Sequence, residues 1–252
     1  MKMKILIIFL FFTGIIFISY VKSNKEEINY TIIGEKELFS NNIISKNFSD
    51  LIYDELSKKN SFGFYSKEFT YKNIRTIDMI NNINNNVSID NIYIQNILKR
   101  TNVLIINTGN NEIIQRFNDV TDLPEINYKL SKVDSNENND NEIYNYLDEV
   151  YKDIKVLIEK VKDLNEGKII FLGIYNDTGN KDNDKYYKYI NEKLELLMHS
   201  NDIDYLNLFD VLNKNEDYLT KGNNIYITNE GNIAIFNKLY RKIDQLYLHK
   251  QR

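Results

Sequence analysis

The sequence predicts an α/β fold, a three-layer α/β/α sandwich around a flavodoxin-like parallel sheet, and three observations predict it. Short β-branched, apolar runs such as Val103-Leu104-Ile105-Ile106 stop abruptly at Gly/Asn clusters, the mark of buried strands. Longer stretches with apolar residues at helical spacing fall between those runs. Strand and helix then alternate along the chain, which calls for a parallel sheet covered on both faces.

In chain order, Met1-Lys2-Met3-Lys4 precedes an unbroken apolar run from Ile5 to Val21. A charged start followed by an apolar core is the pattern of a secretory signal or signal-anchor. About 17 residues make roughly 26 Å of helix, just under the ~30 Å hydrocarbon core. Val21-Lys22-Ser23 is a weak cleavage site, so an uncleaved membrane anchor is expected, with secretion after cleavage as the alternative. The lysines at positions 2 and 4 place the N-terminus inside and the domain outside the cell membrane, as a single-pass protein. Residues 1–28 are thus read as anchor and stalk, and residues 29–252 as one folded domain.

Asn29 to Ile33 reads as the first strand, left through Gly34-Glu35-Lys36-Glu37. Asn47 to Lys59 is helical, with Phe48, Leu51, Ile52 and Leu56 on one face. Phe62 to Phe69 is a second strand, and Ile74 to Asn84 and Ile89 to Arg100 are two further helices. The strand ending at Ile106 empties into a loop, Asn107 to Glu112. Ser131 to Glu142 is too polar to bury and reads as a solvent-facing loop. Ile143 to Leu164 is a long amphipathic helix and Lys168 to Ile174 a buried strand. Tyr186 to Met198 is a helix, Tyr205 to Phe209 a short strand, and Ile233 to Tyr247 the closing helix.

Composition removes several functions. The net charge of −4 comes from 32 basic and 36 acidic residues that are interspersed, so no basic face invites nucleic acid. With no cysteine there is no disulfide, thiolate metal site or Cys nucleophile. Only two histidines, His199 and His249, are available for imidazole chemistry, and both read as surface or packing residues. Asp177, Asp182 and Asp184 have neither the glycine nor the distal glutamate of an EF-hand, so that stretch reads as a solvated loop and no metal is expected. No cofactor is expected either.

Ligands of parallel sheets gather outside the carboxyl ends of the strands, which singles out Gly109 to Glu112. Four blocks at such places, Gly34-Glu35-Lys36, the turn around Asn73, Gly109-Asn110-Asn111-Glu112, and Asn223-Asn224-Ile225-Tyr226-Ile227-Thr228 with Gly231, resemble in order and spacing those of the SGNH, or GDSL-type, hydrolases. The resemblance covers about Tyr30 to Leu246. It implies an esterase or lipase fold with a Ser nucleophile, oxyanion donors from a Gly and an Asn, and an Asp-x-x-His pair.

Most of that chemistry is substituted. Lys36 stands at the nucleophile's position, Asn223 at the orienting Asp and Tyr226 at the base His, while Asn73 stands at the oxyanion Gly, where an asparagine tolerates left-handed backbone well enough to keep the turn. Asn111 alone keeps its expected residue type. An ammonium and a phenol, with reference pKa values near 10.4 and 10, are poor replacements for a nucleophile and a base. The expectation is a catalytically degenerate, membrane-tethered domain whose cleft, lined by Lys36, Glu112 and Tyr226, binds a small molecule, glycan or protein. The alternative is an active esterase on lipid or carbohydrate esters that uses displaced groups.

Overall fold

The computed structural model describes residues 27–36, 46–59, 62–118, 139–221 and 225–245. Its centre is a parallel sheet. The strands are β1 (Ile28–Glu35), β2 (Phe62–Ser66), β3 (Thr70–Tyr71), β6 (Val103–Asn107), β7 (Lys168–Leu172) and β8 (Asp204–Leu206), the numbers between belonging to a hairpin given below. Their order is β2-β1-β6-β7-β8, and β3 pairs with the far end of β1, so β2 and β3 flank the same strand in succession. The expected strand Phe62 to Phe69 ends at Ser66, and a separate two-residue strand follows at Thr70–Tyr71.

Alternation along the strands sorts side chains into two cores. Ile33, Leu104, Ile106, Ile169 and Phe171 face one way. Over them lie α2 (Thr76–Asn84), α3 (Ile94–Arg100), α5 (Asn139–Leu164) and α6 (Asp184–Ser200). Ile28, Tyr30, Ile32, Val103, Ile105, Ile170 and Leu172 face the other way, against α1 (Phe48–Ser57), α7 (Leu208–Leu212) and α8 (Asn229–Ile243). The central strands are apolar on both faces because both faces are covered.

Local chemistry fixes the helix starts. Asn47 accepts from the Asp50 N–H at 2.9 Å to cap α1, and Thr228 accepts from the Gly231 N–H at 3.1 Å to cap α8. The closing helix consequently begins at Asn229, ahead of the expected Ile233, and the long helix begins at Asn139 within the stretch read as loop.

Three expectations are corrected. Ile89 to Arg100 is not one helix. Ser88–Ile89 (β4) and Ile92–Tyr93 (β5) form a hairpin before α3, closed by Asp90 and Asn91 at φ 50 and 65. Two successive left-handed residues make the type I′ turn that matches strand twist. Tyr205 to Phe209 is strand only to Leu206, because Asn207 accepts from the Asp210 N–H at 3.2 Å and starts α7. The segment after β6 is no loop either, since α4 (Asn110–Asn118) begins there. The apolar run Ile5 to Val21 and most of Ser131 to Glu142 lie outside the described residues. Among the described residues no helix is long and apolar enough to cross a membrane.

Candidate functional site at the carboxyl edge of the sheet

The chain leaves β1 toward β2 on one side and β6 lies on the other, so the topological switch point is the crevice between the carboxyl ends of β1 and β6. The two strands approach closely there. Gly34 has φ 116, and a Cβ built on it would stand 1.7 Å from the Asn107 carbonyl oxygen. Only glycine fits. The next residue, Glu35, shares a face with Ile33 and is 1% exposed. Its Oε1 accepts from the Asn111 N–H at 3.1 Å, and its carbonyl accepts from Asn107 Nδ2 at 3.0 Å. A carboxylate at the first turn of α4 is favourably placed against the helix dipole. Lys36 follows, exposed, with its N–H held by the Tyr71 carbonyl at 2.8 Å.

That bond carries the register onward to the turn before α2. Asn73 has φ 58, the left-handed backbone that asparagine tolerates better than most residues, as its place in the turn led one to expect. Asn111 Nδ2 donates to the Ile74 carbonyl at 2.9 Å. Lys36, Asn73 and Asn111 are thus gathered at one edge. The amide of Asn111 commits a hydrogen to this backbone contact, and the side chain is buried.

Glu112 departs from expectation: it does not line a cleft beside Lys36. It is 7% exposed, and its Oε1 accepts from the Thr76 N–H at 2.5 Å while the Thr76 and Thr108 hydroxyls meet at 2.9 Å. Tyr146 donates its hydroxyl to the Glu112 carbonyl at 2.7 Å. Glu112 Oε2 is buried without a hydrogen-bond partner. Burial pushes this carboxyl above its usual range; hydrogen bonds from Thr76 partly offset the rise and the charge of Asp153 adds to it.

A second polar group was missed by sequence reasoning. Asp177 is not in a solvated loop. It accepts from Tyr187 Oη at 3.0 Å and from Asn110 Nδ2 at 3.2 Å, and Asn110 also donates to the Tyr175 carbonyl at 2.8 Å. These contacts tie the start of α4 to the segment after β7. The signal available was position: polar residues directly after an apolar strand are at the edge where loops and helices close over them. Asp182 is exposed, and among the described residues no group of three potential metal ligands occurs.

Tyr226 lies on the segment just before α8. It is 36% exposed, and its backbone pairs with Thr220, whose N–H reaches the Tyr226 carbonyl at 2.8 Å. Its neighbour Ile225 packs toward Gly179, on the segment after β7. Among the described residues no hydrogen bond or ion pair joins Tyr226 to Lys36, Asn73 or Asn111. Asn223 and His249 lie outside the described residues. His199 is exposed on the last turn of α6, just ahead of the first residue of β8. The ion pair of Lys168, the first residue of β7, with Asp202 confirms that this turn is at the amino edge. His199 is therefore at the opposite end of the sheet from Lys36 and Asn111.

No protein-family profile and no curated protein matches the chain. Solved structures do. A lipase from a goat rumen metagenome superposes with a TM-score of 0.66 at 15% identity, over 84% of this chain and 95% of the lipase. A catalytic mutant of an acetylxylan esterase from Geobacillus stearothermophilus gives 0.59 at 12% identity, over 87% and 96%. A member of the lipolytic G-D-S-L family from Veillonella parvula gives 0.54 at 13% identity, over 83% and 94%. With its parallel sheet, its helices on both faces and its crevice at the ends of β1 and β6, the chain has the fold of the SGNH, or GDSL-type, hydrolases.

Proposed function

We propose that this domain is a catalytically degenerate SGNH-type hydrolase domain, tethered outside the cell membrane by Ile5 to Val21, that binds a small molecule, glycan or protein at the carboxyl edge of its sheet. The observation that carries the reading is the position of His199. It is the only imidazole among the described residues, and it is at the amino edge. No described imidazole can serve a hydroxyl at the crevice. The end of β1 presents Lys36, an amine side chain, where the resemblance calls for a serine hydroxyl.

The retained features support binding without turnover. Gly34 lets the ends of β1 and β6 approach, Gly109 leaves room for the Ile154 and Ile174 side chains, and Asn73 takes the left-handed backbone of its turn, which together shape the crevice. Asn111 commits one of its two amide hydrogens to the Ile74 carbonyl, which ties it to the turn before α2. A hydrolase deprived of its triad keeps about 10³–10⁴ over water from its oxyanion hole and binding contacts, which bounds what this site could retain.

The test is covalent. A fluorophosphonate probe phosphonylates activated serines, and the full chain in detergent is expected to stay unlabelled while a competent esterase in parallel is labelled. An adduct on any serine, mapped by mass spectrometry, overturns the reading. Lys36→Ala is expected to weaken a ligand found by screening glycans and acyl compounds, without altering thermal stability.

A further inference from the structure

The joint between α4 and α2 contains a carboxyl group that the proposed function does not use. Adjacent residues of α4 hold the same turn. Asn111 Nδ2 donates to the Ile74 carbonyl at 2.9 Å, and Glu112 Oε1 accepts from the Thr76 N–H at 2.5 Å. The Thr76 and Thr108 hydroxyls close the joint at 2.9 Å. Oε2 of Glu112 faces no donor and no water-accessible surface. An ionised carboxylate in that position has one oxygen unsolvated, whereas the neutral acid avoids most of that cost.

The Thr76 hydrogen bonds and the first turn of α4 favour the ionised form, but burial outweighs them, and the side-chain charge that acts on it adds to the effect of burial. Asp153 of α5 faces Glu112 and raises its pKa, and Glu149 of the same helix acts on Asp153 in the same direction. Arg75, at the head of α2, forms a two-pronged pair with Asp78, Nε to Oδ2 at 2.8 Å and Nη2 to Oδ1 at 2.9 Å, and its charge also favours ionised Asp153. From β1, Glu35 occupies the Asn111 N–H. Tyr146 of α5 and Thr108 contribute hydroxyls only.

We propose that Glu112 is a pH-operated latch: as a neutral acid it holds the turn of residues 73–76 onto α4, and on ionising it loosens that joint and releases the amide of Asn111 toward the crevice. This rests on the crevice being the ligand site, but its test needs no ligand. The sign follows from the raised folded-state pKa. The contribution of Glu112 to the closed joint is complete below the unfolded glutamate value of about 4.3 and is lost as pH rises through the higher folded value.

The experiment is NMR of the full chain in detergent micelles. Three readouts are followed against pH: the ¹³C resonance of the Glu112 carboxyl, the side-chain amide of Asn111, and the exchange protection of the Thr76 N–H after division by its intrinsic rate. Glu112 is expected to titrate above the ordinary glutamate range. The Asn111 amide should move with the same midpoint, and Thr76 protection should fall by about tenfold or more across it. Glu112→Gln should keep the acid-like protection at every pH, and Asp153→Asn should lower the midpoint. A Glu112 midpoint in the ordinary range, an Asn111 amide that ignores the titration, or a Glu112→Gln protein with the wild-type profile each overturns the latch. Should Glu112→Gln fail to fold, the wild-type carboxyl and Asn111 titrations decide alone.

Discussion

At the scale of single residues, the carboxyl edge is built from side chains that have little freedom to be anything else. Gly34→Ala adds a Cβ where the Asn107 carbonyl already is, at a φ of 116 that alanine resists. The variant is expected to lose about 3 kcal/mol or more, read as a lower urea midpoint or as failure to fold. Asn191 is a second fixed point: it accepts from the Ile174 N–H at 2.9 Å and donates to the Ile174 and Tyr187 carbonyls at 2.7 and 2.6 Å. Asn191→Ala strands those buried groups and should cost about 2–4 kcal/mol in the same measurement. Part of this scale was legible beforehand. Asn73 announced its left-handed turn because few residues accept that backbone. Glu112 and Asp177 did not announce their burial, because a polar residue past a strand end looks the same in sequence whether a helix closes over it or not. What covers Glu112 is decided by Thr76 and Tyr146, and what covers Asp177 by Asn110, each from a part of the chain distant from it.

At the scale of elements, strands and long helices were readable because a buried face repeats. Ile28, Tyr30 and Ile32 on one side and Ile33 on the other show the period, as do Leu147, Val150, Ile154, Leu157, Ile158 and Val161 along α5. Short elements were misread where a turn of two residues decides the outcome. Asp90-Asn91 converts a helical apolar spacing into a hairpin, and Asn207 turns the tail of a strand into the start of α7. Caps follow the same logic and give a direct test. Thr228 supplies its hydroxyl oxygen to Gly231 and donates to the Asp217 carbonyl at 2.7 Å. Thr228→Ala is expected to cost about 1 kcal/mol, while Thr228→Ser retains most of the cap, as measured by thermal unfolding.

At the scale of the whole molecule, the sheet order places one crevice at the boundary of β1 and β6, and the resemblance read from four short blocks agrees with the fold of lipases and acetylxylan esterases. On the function proposed above, fold and chemistry separate here. The scaffold that brings Lys36, Asn73 and Asn111 together is retained, whereas the described imidazole is at the other end of the sheet. The fold was legible because burial patterns average over many residues. The site was only half legible, since it depends on which side chains turn inward at the ends of six strands. Hydrolysis of p-nitrophenyl acetate and an acetylated sugar by the full chain, beside its Asn111→Ala variant, tests the central claim most directly. Both proteins are expected to match the blank; turnover above it that falls with Asn111→Ala would mark the domain as a working hydrolase.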